Sequence, residues 1–249
     1  MQSEVDFELI RKYDPDALRL IAKDRSGYYL AKRIADIFAS LILLVISFPL
    51  MLLIALAIKI YSPGPIFFKQ ERVGSKRQTR GKSSYWKRVT FRCYKFRTMH
   101  HNADSSVHQA YIKALINNDQ EQIRTLQGDA SSIHKLVHDS RITRPGKLLR
   151  KLSLDELPQF FNVLIGDMSL VGPRPAIPYE VAMYKPWHLQ RLEVQPGITG
   201  LQQVTSRSTA NFDEQVRLDI DYIHRQSVWL DIMIILKTPF VILSTRGAG

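Results

Sequence analysis

An uncharged run, IFASLILLVISFPLMLLIALAI, from Ile37 to Ile58, decides more about this chain than any other segment. Its roughly 22 residues would form a helix about 33 Å long, enough for the hydrocarbon core of a bilayer. A charge-rich stretch precedes it and no small-residue cleavage site follows, so it does not read as a signal peptide and the protein keeps it.

Both flanks are basic. Lys32 and Arg33 stand before the run, and Lys59, Lys69, Arg72, Lys76, Arg77 and Arg80 follow it. Basic residues mark the cytoplasmic side, which one straight crossing cannot give to both ends but a re-entrant hairpin can. Pro49 lies near the middle, where it removes a backbone donor and bends a helix. Two arms of about 11 residues would each reach about 16 Å, roughly the bilayer midplane. An ordinary transmembrane anchor that tolerates its proline is the alternative. Upstream, FELIRKYDPDALRLIA and the Tyr28-Tyr29 pair read as an amphipathic interfacial helix within residues 1–30.

The chain's 249 residues fit one domain and leave enough sequence beyond the apolar run to bury a core. With 35 Lys and Arg against 23 Asp and Glu, the net charge of +12 calls for a polyanionic partner: nucleic acid, an anionic bilayer face or phosphorylated substrates. The single cysteine, Cys93, excludes an intramolecular disulfide and reads as a packing residue.

After the turn Ser62-Pro63-Gly64-Pro65, the alternating IFFKQERVG reads as a strand. SKRQTRGKSSYWKR, residues 75–88, then reads as a cationic loop and VTFRCYKFRTM as the returning strand of a hairpin. Residues 101–139 carry a helical rhythm without a strong apolar stripe and read as an exposed helical insertion. His134 and His138 have the spacing that places two imidazoles on one helix face, but without further ligands they read as a solvated polar face and no metal is assigned to them. Asn211 to His224 reads as a helix. The apolar SVWLDIMIILKTPFVIL, interrupted by Asp231 and Lys237, is too short and charged for a good span and either packs in the core or lies on the bilayer.

The densest chemical signal is KLLRKLSLDELPQ, residues 147–159, followed by Asn162 and GDMSLVGPRPAIP. Ser153 and Glu156 have capping-box spacing, although Pro158 also allows regular helix to begin there with Asp155 and Glu156 on the turn before it. In either case Asp155 lies near the positive end of a helix, where a carboxylate stays ionised and can attack phosphorus. The plainer alternative is that the two acids only cap a helix. Arg174, held in the stiff turn Gly172-Pro173-Arg174-Pro175, is a candidate phosphate fork.

From Lys32 onward the chain resembles the bacterial sugar transferase family, the monotopic polyprenyl-phosphate phosphoglycosyl transferases. The resemblance rests on KRIAD, SPGPIFFKQERVG, YKFRTM, RKLSLDELPQFFNVLIGDMSLVGPRP, PGITGLQQV and WLDIMIILKT. It implies an α/β, mostly helical, compact catalytic domain over residues 62–249, on the cytoplasmic face of a bacterial inner membrane. It further implies a re-entrant helix-break-helix over residues 31–61, amphipathic interfacial helices, and a Mg²⁺-dependent ping-pong transfer of sugar phosphate from a UDP-sugar to polyprenyl phosphate. Such a reaction starts the assembly of exopolysaccharide, capsule, O-antigen or glycoprotein glycans.

By motif position Asp155 would be the nucleophile and a metal ligand, with Glu156 its partner. Arg150, Arg174 and Arg207 would surround the phosphates, and Lys95 and Arg97 of YKFRTM complete the substrate-binding candidates. The family's break is often Ser-Pro; Ser47-Phe48-Pro49 keeps the proline but sets the hydroxyl one residue away. The multi-pass N-terminal region of larger members is not expected here. A homo-oligomer is left open. A membrane-tethered nucleic-acid binder, motivated by charge and the Tyr85-Trp86 pair, lacks any zinc-finger, RNA-recognition or helix-turn-helix signature, and nucleic acid is not an expected partner. A non-catalytic scaffold is the third reading.

Overall fold

The computed structural model describes residues 25–80, 83–102, 106–127, 141–205 and 211–244. The apolar run lies in one helix, α1 (Ser26–Tyr61), whose backbone stays helical through Pro49. By length and composition it can cross a membrane, and only 11% of its most apolar window is buried. Tyr28 and Tyr29 belong to its first turn; the expected upstream interfacial helix lies outside the described residues.

Each end of α1 is docked on the globular part. Near its start, Lys32 is buried and its Nζ lies 2.7 Å from Asp231, while the Tyr28 and Tyr222 hydroxyls donate to the same carboxylate. Arg33 donates to the carbonyls of Val163 and Leu164, and Asp36 accepts from the Leu170 amide. Near its end, Ile54 and Ile58 pack with Phe96 and Leu149. Between these ends Val45, Ile46, Phe48 and Leu53 are exposed.

The strands β1 (Phe67–Arg80) and β2 (Ser83–Phe96) form an antiparallel hairpin. It is longer than expected: residues 75–88, read as a loop, pair as strand up to Arg80 and from Ser83, with Ser75 opposite Arg88 and Arg77 opposite Trp86. The reason lies in its contacts. The Arg77 guanidinium sits 4.7 Å from the Tyr29 ring and Trp86 meets the same ring edge-on, so aromatic surface on α1 holds a segment whose charge alone reads as loop.

The expected exposed insertion is also partly core. Its helices α2 (Ser106–Ile116) and α3 (Gln120–Gln127) bury Tyr111, Ala114, Ile116 and Ile123 against Val73, Tyr184 and Phe212. A compact YIKALI patch did this where no long stripe existed. His134 and His138 lie outside the described residues.

The remainder alternates short helices with a second, parallel pair of strands. Helices α4 (Arg144–Lys151) and α5 (Gln159–Ile165) flank a 3₁₀ turn, Leu154–Glu156. Then come β3 (Ser169–Val171), α6 (Pro178–Ala182), a 3₁₀ segment at Pro186–Leu192, β4 (Gly197–Thr199) and α7 (Leu201–Thr205). β3 and β4 pair in parallel. The helix expected near Asn211 is α8 (Phe212–Arg225), capped by the Asn211 side chain. Last is α9 (Val228–Leu243), which buries Asp231 and Ile234 and exposes Trp229, Leu236 and Phe240. Among the described residues the chain is therefore mostly helical with two small sheets.

Because Lys32 and Asp231 are both buried, removing one strands the other. Asp231→Ala should cost about 3–5 kcal/mol, read as a lower thermal midpoint in detergent. Pairing it with Lys32→Met should recover part of the loss, and an unchanged midpoint for Asp231→Ala would show that the pair does not hold α1 to the domain.

Candidate active site

Asp155 and Glu156 sit on the 3₁₀ turn between α4 and α5, and regular helix resumes only at Gln159. Of the two sequence readings, the one with the dyad on the turn before the helix is the one observed. Ser153 takes the left-handed conformation, φ 55°, and makes no side-chain cap bond, so the expected capping box is absent.

Three contacts fix α5 and with it the dyad. Lys95 Nζ lies 2.6 Å from Glu156 Oε1. Asn162, fully buried, uses its amide as a strand would: Oδ1 accepts from the Tyr94 amide and Nδ2 donates to the Arg92 carbonyl on the β2 edge. At the far end Arg33 takes the carbonyls of Val163 and Leu164, with Gly166 in the left-handed conformation ending the helix.

The second wall is built from two loops in backbone contact. Gly172 donates to the Thr199 carbonyl and Gly197 to the Pro173 carbonyl. A Cβ on Gly197 would lie 2.0 Å from the Gly172 nitrogen, so only glycine permits this approach. The approach brings Arg174 and Pro175 beside Gly197, Ile198 and Gln203.

Between the walls lies a cleft of about 260 Å³, counting its part open to solvent, lined among others by Arg72, Lys95, Glu156, Gln159 and Arg174. Arg72 is buried and spends Nη1 on the Pro175 carbonyl and Nη2 on Gln70, while its Nε has no partner. Burial and neighbouring Arg174 both lower the Arg72 pKa. Two guanidiniums forced together mark a place that an anion would stabilise.

The carboxylates differ. Burial alone would raise Glu156, but Lys95, Arg174 and Arg72 overcome it and hold the group down at about 2. Burial pushes Asp155 up, opposed by Lys95 and reinforced by the charge of Glu156, with Arg150 pulling it down. Glu156 is thus a fixed anion bound to Lys95, and Asp155 is the carboxylate of the pair whose proton is more easily held.

Not every candidate joins the cleft. Arg97 donates to the carbonyls of Ser62 and Pro63 and secures the turn after α1, away from the lining residues. Arg150 Nε donates to Thr98 Oγ1, within electrostatic range of Asp155. Arg207 lies outside the described residues. Cys93, expected only to pack, is buried and also lines the cleft. Arg72, Gln159 and Gln203 were not singled out from sequence; Arg72 had counted only as a flanking charge, and nothing in the pattern distinguishes a cleft glutamine from a surface one.

Comparison with known proteins meets this site from another direction. The bacterial sugar transferase profile matches residues 27–245. A galactosyl transferase, CpsE, of Streptococcus agalactiae is 40% identical over 223 residues, covering 89% of this chain and 44% of that protein. An undecaprenyl-phosphate galactose phosphotransferase of Salmonella typhimurium is 39% identical over 246 residues, covering 98% of this chain and 47% of that protein. The chain thus spans about half the length of these two relatives. The exopolysaccharide production protein ExoY of Rhizobium meliloti is 34% identical over 219 residues, covering 88% of each chain. The profile match extends from the first turn of α1 through the dyad to the end of α9, and on that ground the chain belongs to the bacterial sugar transferase family.

Proposed function

We propose that this protein transfers a sugar 1-phosphate from a UDP-sugar to a polyprenyl phosphate, with release of UMP. The observation that carries the reading is a carboxylate dyad on one turn, with Glu156 lining a cationic cleft, Asp155 buried next to it, and exposed apolar side chains at the edge. Leu148 and Leu152 precede it, and Phe161 and Ile165 form the outer face of α5. A substrate that is diphosphate at one end of the reaction and lipid at the other suits both surfaces. The relative from Salmonella typhimurium is named for transfer to undecaprenyl phosphate, which supports the same acceptor.

The steps follow from the charges. Asp155 attacks the β-phosphorus of the UDP-sugar, forming an aspartyl phosphate bond to the sugar phosphate as the bond to UMP breaks and UMP leaves with the electron pair. The polyprenyl phosphate oxygen then attacks the same phosphorus and the Asp155 carboxylate departs, leaving a polyprenyl diphosphate sugar. Arg72, Lys95 and Arg174 neutralise the phosphates and hold them in line, which is most of what a protein contributes to phosphoryl transfer. Glu156, already bound to Lys95, orients that cation.

Among the described residues no three His, Cys, Asp or Glu side chains group to cage a metal. A dyad with one carboxylate already engaged still fits Mg²⁺, which binds through one or two carboxylates and takes phosphate oxygens and water for the rest. Asp155, with Glu156 beside it, would hold the ion, which supplies charge neutralisation at the diphosphate.

The seat of the enzyme in this reading is the cytoplasmic face of the inner membrane, with α1 entering and returning. Ser47 Oγ donates to the Leu43 carbonyl just before Pro49, and both features bend helices. The docking of both ends supports the bend more strongly. A straight α1 would separate Arg33 from Ile54 by about 31 Å, yet their contacts at Val163 and in the cluster of Leu157 are about 9 Å apart along the chain's helical turns. The exposed face of α9, with Trp229 and Phe240, suits the bilayer interface beside it.

Asp155→Asn should abolish UMP release from every UDP-sugar while leaving the protein folded and membrane-bound. A variant free of wild-type enzyme that keeps a tenth of the rate would remove Asp155 as nucleophile. The raised Asp155 places the acid limb of the rate profile above the ordinary carboxylate value of about 4. Activity needs the ionised form, so the rate falls as pH drops through that limb, whereas Glu156 stays ionised down to about 2. Lys95→Met removes the main charge favouring ionised Asp155 and should move the limb to higher pH; movement in the opposite direction would contradict the assignment.

Topology is tested with single cysteines at Gln2 and Ser83 in a Cys93→Ser background and an impermeant thiol reagent. Neither site should label in intact cells and both should label once cells are permeabilised. Labelling at Gln2 in intact cells would mean that α1 crosses the membrane.

A further inference from the structure

Two uncharged amides face the same cleft as the cations, and the steps above give them no part. Gln159 is only 3% exposed, yet its carboxamide lines the cleft with no hydrogen-bond partner among the described residues. It is the first residue of α5, one turn beyond Glu156. Gln203, from α7, donates from Nε2 to the Ile198 carbonyl at 3.3 Å, and its Oε1 is buried without a partner. Because Ile198 offers an acceptor there, the nitrogen is the atom that belongs beside it and the oxygen is the one left over. A buried amide oxygen without a partner is costly and uncommon, and here Gln203 Oε1 stands at the same cleft as the unpaired Gln159 amide, which together point to a ligand that completes them.

We infer that Gln159, together with Gln203, binds the hydroxyl groups of the sugar carried by the donor substrate and so sets which sugar is accepted. This rests on the reaction proposed above. The charge of the diphosphate is already matched by Arg72, Lys95 and Arg174. An amide offers a donor and an acceptor, and a hydroxyl needs both, so the pair complements the neutral part of the donor. Direction follows from the in-line attack. UMP leaves on the side opposite Asp155, so a group one turn from the nucleophile approaches the oxygens around phosphorus, one of which carries the sugar. A site that hydrogen-bonds a hydroxyl also rejects analogues that lack or misplace it.

The test uses the full chain in detergent with Asp155→Asn, so that no turnover occurs, and measures binding of UDP, UDP-galactose, UDP-glucose and UDP-N-acetylgalactosamine with and without Gln159→Met. Methionine keeps the volume and removes both hydrogen-bonding atoms. The UDP-sugar bound best by the parent should weaken about fivefold or more, and UDP by less than about twofold. Gln159→Asn, which keeps the amide but shortens its reach, should flatten the preference among the three sugars. Equal weakening of UDP and UDP-sugar would move the contact to the nucleotide and overturn the inference, as would no change in either or a parent that binds no UDP-sugar more tightly than UDP. UMP release by the wild-type protein is measured alongside. If none of the three sugars gives UMP, the proposed reaction fails for them, while the binding comparison still decides the role of Gln159.

Discussion

The side-chain amide of Asn162 joins the β2 edge to α5 through two hydrogen bonds. It pairs with the free edge of β2 at Arg92 and Tyr94 as another strand would, but it does so from the middle of α5. Lys95 lies one residue beyond Tyr94, and Glu156 lies two helical turns before Asn162. The 2.6 Å contact between Lys95 and Glu156 is therefore set by where Asn162 grips the strand. A slip of one residue would turn Lys95 to the other face of the hairpin. Arg33 closes the far end of α5, so the membrane helix, the hairpin and the dyad share one short helix as their common support.

Within that support the two carboxylates are made unequal by their neighbours. Identical groups side by side repel, and the one with the nearer cation ionises first. Glu156 has Lys95 in contact and two arginines within reach, and is held at about 2. Asp155 has the same lysine at one remove, a like charge next to it and a buried position that favours its neutral form. The arrangement keeps Glu156 occupied with the cleft's own cations. Asp155 remains the less stabilised anion of the pair, which suits the nucleophile role proposed for it, since a less stabilised oxygen attacks more readily.

Part of the candidate site was legible in the sequence because its charged groups are concentrated in turns. Asp155, Glu156 and Arg174 stand beside Pro158 and between Pro173 and Pro175, where backbone freedom is low and a polar side chain has few structural duties. Arg97 failed the same reading. It has the right charge in the right motif, but both its terminal nitrogens serve the carbonyls that the Ser62–Pro65 turn leaves open. Arg72 shows the reverse, since in sequence it is one more basic residue after an apolar run, and only burial beside Arg174 reveals it. The hairpin and the helices after it were misjudged for a related reason. Their burial depends on short patches, Arg77 on Tyr29 and YIKALI on Val73, and contacts between distant segments leave no period in a single sequence.

The apolar surface around the dyad sets the last constraint. Phe161 and Ile165 are one turn apart on the face of α5 opposite buried Asn162 and Val163, and both stay exposed although the cluster of Phe91, Cys93 and Met168 lies just beneath. A helix of seven residues cannot bury both faces inside so thin a domain, so its outer face needs another apolar medium. In the proposed seat the bilayer provides it, and covering that face draws the turn carrying Asp155 toward the headgroups. The cleft behind remains lined by cations that membrane lipid tails would not satisfy. The polar wall therefore has to open toward water while the apolar rim rests on lipid. In the proposed reaction a lipid phosphate reaches Asp155 only where those two surfaces meet, at the turn between α4 and α5.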